Sequence, residues 1–195
     1  LFIDQSNQNA LQIIARGCPQ LISLSCNGNS NSLVSELNLK ELGRLKKLKK
    51  LRLLIDSAAS DETYGKIIKC LPRLKNLTLD KKMYSDDLIR FVVEAAPQIE
   101  QLKLETSKLE SGVKISVKTW QTIANLKNLR HLNLIGTPPS STILQELINN
   151  NPAFKRYYTE IYPWPMDGAQ SYEFLRTSEG IIKCSVVLTQ ASEEE

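Results

Sequence analysis

Apolar residues recur along this chain in one short figure, L-x-x-L-x-L, with mostly polar residues at the x positions. It runs Leu21-Ile22-Ser23-Leu24-Ser25-Cys26, then Leu48-Lys49-Lys50-Leu51-Arg52-Leu53 and Leu74-Lys75-Asn76-Leu77-Thr78-Leu79. It returns as Ile99-Glu100-Gln101-Leu102-Lys103-Leu104, as Leu129-Arg130-His131-Leu132-Asn133-Leu134 and, degraded, as Phe154-Lys155-Arg156-Tyr157-Tyr158-Thr159. The first residues of successive copies lie 27, 26, 25, 30 and 25 positions apart. The alternation around each middle leucine has the two-residue period of a strand buried on one face. Pro19, Pro72, Pro97 and Pro152 each sit two residues before a copy. Proline cannot continue a helix and biases its predecessor toward extended geometry, so its recurrence predicts a helix-to-strand boundary. Upstream, Leu11, Ile14 and Ala15, then Ile67 and Ile68, then Ile89, Val92 and Val93, then Leu144, Leu147 and Ile148 are spaced as one face of a helix. Ser85-Asp86-Asp87 and Pro139-Ser140-Ser141 are predicted helix starts, and Asp61 reads the same way.

A short strand and one helix cannot bury their apolar faces alone, but stacked copies bury a continuous core. The expected architecture is therefore α/β: a parallel sheet on the concave side and helices on the convex side. The segments Gly17-Cys18-Pro19-Gln20-Leu21, Cys70-Leu71-Pro72-Arg73-Leu74, Ala96-Pro97-Gln98-Ile99 and Leu126-Lys127-Asn128-Leu129 resemble the cysteine-containing type of leucine-rich repeat found in F-box proteins. That resemblance covers roughly residues 1–160. It implies a right-handed leucine-rich-repeat solenoid, a horseshoe arc of about six to seven repeats over 1–161, the first truncated. It also implies substrate recognition for a cullin-type ubiquitin ligase, whose chemistry other subunits would perform. The contact to a cullin adaptor would need an F-box upstream of Leu1, and the chain is read as a piece of a longer protein that starts in mid-strand. The other reading is a ubiquitin-independent scaffold or inhibitor-like binding protein.

Composition narrows the field without choosing a partner. Apolar residues make up 42% and charged residues 24% of the 195, with a net charge of +4. That charge is too weak to argue for nucleic acid, which would also want aromatic platforms among the basic residues. No run of 18 apolar residues exists to predict a transmembrane helix. The start Leu1-Phe2-Ile3-Asp4 lacks the charged n-region and apolar run of a signal peptide. Cys18, Cys26, Cys70 and Cys184 show no C-x-x-C spacing, so a zinc site is not expected; reduced, mostly buried thiols in a cytoplasmic or nuclear protein are. The sequon Asn76-Leu77-Thr78 falls in an expected buried strand and is discounted. No phosphate-binding loop, dinucleotide fingerprint or nucleophile elbow occurs. His131 is the single histidine, which leaves no second imidazole for a metal cluster. The chain is read as non-enzymatic, with no cofactor.

The residues that flank each middle leucine should face outward on the concave side. They are Ser23 and Ser25, Lys50 and Arg52, Asn76 and Thr78, Gln101 and Lys103, His131 and Asn133, Arg156 and Tyr158. The first x of each copy, Ile22, Lys49, Lys75, Glu100, Arg130 and Lys155, should line the strands' leading edge as two basic blocks interrupted by Glu100. The candidate partner-binding residues are Lys50, Arg52, Lys75, Lys103, Arg130, His131, Arg156 and Tyr158. Two readings stay open: an electropositive wall for an acidic or phosphorylated protein segment, or a solvated rim that keeps an exposed sheet soluble. The seven basic residues between Lys40 and Arg52 admit a nuclear-localisation reading and a plain surface reading. Seven of the twelve aromatics fall between Phe154 and Phe174, and Tyr162-Pro163-Trp164-Pro165 breaks the repeat phase. Residues 162–195 are therefore read as a cap with a last strand near Ile181–Leu188 and an acidic tail, Ser192–Glu195; an aromatic partner surface is the rival reading.

Overall fold

A strand that lies parallel to its predecessor needs a connection running back along the sheet, and each proline-marked helix supplies one. In a computed structural model of the chain, residues 2–4, 10–28, 40–55, 60–81, 85–105, 115–134, 139–161, 169–176 and 182–189 are described. Among them, nine strands form one sheet in chain order: β1 (Phe2–Asp4), β2 (Ser23–Gly28), β3 (Lys50–Ile55), β4 (Asn76–Lys81), β5 (Gln101–Glu105), β6 (His131–Leu134), β7 (Arg156–Ile161), β8 (Ala169–Arg176) and β9 (Ile182–Thr189). β1 to β7 are parallel, whereas β8 and β9 run antiparallel to their predecessors. The helices are α1 (Ala10–Gly17), α2 (Asp61–Lys69), α3 (Asp86–Ala95), α4 (Val117–Ala124) and α5 (Ser141–Asn150). Residues 40–42 are also helical, between β2 and β3.

The expected apolar positions are the core. Leu24, Leu51, Leu77, Leu102 and Leu132 are all at most 2% exposed, and they join the buried faces of the helices in one cluster. The helices therefore cover one face of the sheet and leave the other open. Ile67, Ile68, Ile89, Val92, Val93, Leu144, Leu147 and Ile148 are buried as the helical spacing requires; Ile14 is only half-buried. Serines start four helices. Ser60, Ser85, Ser116 and Ser140 each accept from the backbone N–H three residues on, which satisfies a donor the helix cannot.

Each helix ends in the same turn before the next strand. The N–H groups of Leu21, Leu48, Leu74, Ile99, Leu129 and Phe154 each donate to the carbonyl three residues back, at 2.9–3.1 Å. The carbonyl that follows then clamps the next coil. Ile22 O accepts from the N–H groups of Lys49 and Lys50, and Lys49 O, Lys75 O, Glu100 O and Arg130 O repeat this for the succeeding copies. The coils are thus tied edge to edge by two backbone bonds per step.

At the far end the register continues through different chemistry. Tyr157, 0% exposed, takes the place of the middle leucine. Its ring meets Trp120 edge-on at 5.7 Å and stacks on Phe174 of β8 at 5.4 Å. No strand is expected from the sequence over 169–176; β8 is found there, and β9 lies where the last strand is expected. Tyr162-Pro163-Trp164-Pro165 and the tail Ser192–Glu195 lie outside the described residues.

The thiols correct an expectation. Cys18, Cys26 and Cys70 are free, but only Cys26 is buried; Cys18 and Cys70 are exposed, and the side chain of Cys184 is not among those described. Cys18 and Cys70 stand on the turns after α1 and α2, where the chain leaves the helix layer. Cys26 points into the core from β2, and burial pushes its thiol up to about 12.

Candidate functional site

The register sets the outward residues in two rows across the open face. One row runs Ser23, Lys50, Asn76, Gln101, His131, Arg156. The other runs Ser25, Arg52, Thr78, Lys103, Asn133, Tyr158. Neighbours in a row are cross-strand partners, about 5 Å apart. Lys50, Arg52, Gln101 and Arg156 are exposed, and Asn76, Thr78, Lys103, His131 and Asn133 are half-buried. Tyr158 takes its backbone place opposite Asn133, while its side chain lies outside the described residues. Asn76 is on this open face rather than buried, and its Nδ2 donates to Gln101 Oε1 at 2.8 Å.

A groove of about 370 Å³ lies on the face over β4 to β7. Its polar lining residues are Asn76, Thr78, Gln101, Lys103, Asn133 and, at one corner, His131 with Arg156, and Leu77, Leu102 and Leu132 also border it. Four of these, Asn76, Thr78, Gln101 and Asn133, lie outside the candidate set of Lys50, Arg52, Lys75, Lys103, Arg130, His131, Arg156 and Tyr158; the two-residue period places them on the face, and a set chosen mainly for charge left them out. Lys50 and Arg52 lie one strand beyond the groove, on β3.

Lys75 and Arg130 are not on the face. Each precedes its strand by one residue, at the leading edge, where Glu100 stands between them. Lys75 Nζ meets Glu100 Oε1 at 2.5 Å, and Arg130 Nε approaches Glu100 Oε2 at 3.9 Å. The hydrogen bond from Lys75 holds the Glu100 carboxyl below its ordinary value, with help from the charges of Lys75 and Arg130. The expected interruption between two basic blocks is therefore a bridge that offsets charge on both sides. Stacking at one strand spacing brings opposite charges within reach across successive coils.

His131 is held below its ordinary value of 6.5, first by burial and then by the charges of Lys155, Arg156 and Arg130. Its Nδ1 is shielded from solvent and has no hydrogen-bond partner among the described residues, and the same is true of Asn133 Oδ1. Burial lowers an imidazole because it penalises the charged form.

The helix side carries a second ordered array, of which the sequence reading took Asp61, Ser85 and Asp86 only as helix starts. Ser85, the cap of α3, donates its hydroxyl to Asp61 Oδ2 of α2. Ser116, the cap of α4, donates its backbone N–H to Asp86 Oδ1 of α3 at 2.9 Å. Asn151, fully buried, donates Nδ2 to the carbonyl of Ala124 at 3.2 Å and ties α5 to the end of α4. These bonds fasten coils to each other.

Among the described residues, no group of three or more His, Cys, Asp or Glu side chains is placed to hold a metal, and no helix is long and apolar enough to cross a membrane. No protein-family model and no curated protein matches the sequence. Among solved structures, the chain is similar to a chain of a TLR13–ssRNA13 complex at 18% identity and a TM-score of 0.44, covering 71% of this chain and 22% of that one. It is also similar to a PfkB family carbohydrate kinase from Listeria grayi at 12% identity and a TM-score of 0.32, covering 96% of this chain and 46% of that one. The chain spans less than half the length of either, and both superpositions are too loose to bear on function.

Proposed function

We propose that this chain is an arc of leucine-rich repeats that serves as a protein-binding module, its open sheet face taking an acidic or phosphorylated segment of a partner. One observation carries the reading: matching outward residues of six successive copies are cross-strand partners, so they form one continuous surface. The groove in that surface offers amides for hydrogen bonding and Lys103 and Arg156 for charge. β8 and β9 act as the end cap in this reading, supported by Phe174 stacked on Tyr157. The resemblance of the repeats to those of F-box proteins supports a finer role, substrate recognition for a cullin-type ubiquitin ligase.

Affinity capture with the full-length protein tests both levels. Recovery of a cullin adaptor supports the ligase role; a specific partner without adaptor favours a ubiquitin-independent scaffold. Replacing Lys50, Arg52, Lys103 and Arg156 together by Ser should weaken the captured complex and flatten its salt dependence. Unchanged affinity would return these residues to the role of a solvated rim.

A further inference from the structure

The groove has two unlike ends. Toward β4 and β5 its first row is neutral, with Asn76 and Gln101 hydrogen-bonded to each other. Asp80 stands further along β4. Toward β6 and β7 it is cationic. His131 is the cross-strand partner of Arg156, and Arg130, Arg156 and Lys155 all weigh on its ring. From β5, Gln101 is its partner on the other side and Lys103 lines the same groove, while Glu100 is engaged by Lys75 and Arg130.

Two shielded acceptors sit on β6 in this corner, His131 Nδ1 and Asn133 Oδ1, two positions apart and so on the same face. A neutral ring with its proton on Nε2 leaves both lone pairs without a hydrogen. A proton taken up at Nδ1 gives the ring a full positive charge. That protonation is opposed by burial and by three cations, and it becomes favourable when an anion offsets them.

We propose that this corner is a subsite for a single phosphoryl group carried by the bound segment, and that His131 takes up a proton from solvent as the group enters. The proposal rests on the reading of the open face as a protein-binding surface. A run of carboxylates fits less well, because it would extend from the cationic corner over neutral Asn76 and Gln101 toward Asp80. A phosphate monoester concentrates about two negative charges and three acceptor oxygens at one point, and a guanidinium fork matches such oxygens. With the bound-state value of His131 above the free one, the added affinity is fully present below the free value and is lost as pH rises through the bound value.

His131 is the single histidine of the sequence, so its C2–H resonance reports one ring. We would follow it by NMR between about pH 5 and 8 in chloride, then with sulfate, inorganic phosphate, a phosphoserine peptide and a Glu-rich peptide at matched ionic strength. The midpoint should lie below 6.5 in chloride and rise by about one unit with the phosphoserine peptide, which corresponds to a contribution from His131 of about tenfold in affinity at low over high pH. Lys155→Met with Arg156→Gln should remove most of that rise, and His131→Gln should remove the low-pH gain in affinity, leaving the opposite dependence that the second ionisation of the phosphate near about pH 6 imposes. No rise, or a rise that survives the double substitution, overturns the subsite. If the Glu-rich peptide still perturbs amides of β4 to β7, the face reading stands while the phosphoryl subsite fails; if no peptide perturbs them, both fail. Saturation by inorganic phosphate or sulfate at the same concentration as by the phosphoserine peptide assigns the site to a free ion and overturns the segment-borne group.

Discussion

Leu102 stands at the centre of the stack, 0% exposed, with Leu77 and Leu132 as its partners on the two neighbouring strands. Replacing it by Ala removes three carbons from the core, about 2.4 kcal/mol at about 0.8 kcal/mol each. A cavity term adds to this, because the flanking leucines belong to strands clamped at their leading edges by paired backbone bonds and cannot close the space. The expected loss is about 3–4 kcal/mol, a large share of the roughly 5–15 kcal/mol that holds a domain together. At about 2–4 °C per kcal/mol for a chain of this size, the melting midpoint should fall by about 10 °C. Urea unfolding followed by circular dichroism measures the loss, with Lys103→Ala as the control one residue along. That control should change stability by no more than about 0.5 kcal/mol. Leu132→Ala should match Leu102→Ala within about 1 kcal/mol, because the environment repeats from coil to coil. If Leu102→Ala cost under about 1 kcal/mol, or no more than Lys103→Ala, the leucine would not be interior and the stacked reading would fail.

The other predictions concern how coils are joined. A Cβ on Gly65 would stand 2.9 Å from Phe91 Cβ and 3.3 Å from Phe91 O, so Gly65→Ala should destabilise by about 1–3 kcal/mol despite alanine's better helix propensity; a rise in the urea midpoint would show that α2 and α3 can part without cost. Burial pushes the Asp86 carboxyl up, but hydrogen bonds from Ser116 and Thr119 together with Arg90 outweigh it and hold the group below 3.8. A depressed folded value gives stability that is present above the unfolded value and lost as pH falls through the folded one. Asp86→Asn should therefore cost about 1–2 kcal/mol at neutral pH and converge with the parent in acid, as read from urea midpoints across pH. Asn151→Ala removes the buried bond to Ala124 and should cost about 2 kcal/mol in the same assay, without changing the His131 resonance.

The interior was legible because leucine burial and the two-residue period of a strand are local properties. Leu51, Leu77, Leu102 and Leu132 could be assigned inward, and their neighbours outward, without knowing which strand lies beside which. Ser85 and Ser140 were legible as caps for the same reason. The bonds between coils were not. Asp61 meets Ser85 and Asp86 meets Ser116 only after stacking, across 24 and 30 residues of chain. Glu100 likewise read as an interruption, because the sequence shows its sign and not its reach to both neighbours. β8 escaped because Ala169–Arg176 has no leucine phase, and its antiparallel place depends on Tyr157 and Phe174 meeting.

The open face is a by-product of the core, and this constrains how its chemistry can vary. A slip of one residue in β6 would carry His131 and Asn133 inward and put Leu132 and Leu134 on the surface. The burial of those leucines therefore fixes the face, although neither of them needs to touch a ligand. Substitutions in the two outward rows should change binding while leaving stability near that of the parent, whereas substitutions of the inward leucines should change both. Two adjacent residues, Leu132 and His131, then separate the causes: the first acts on the ligand through register, the second through charge. Only the second should make the effect depend on pH.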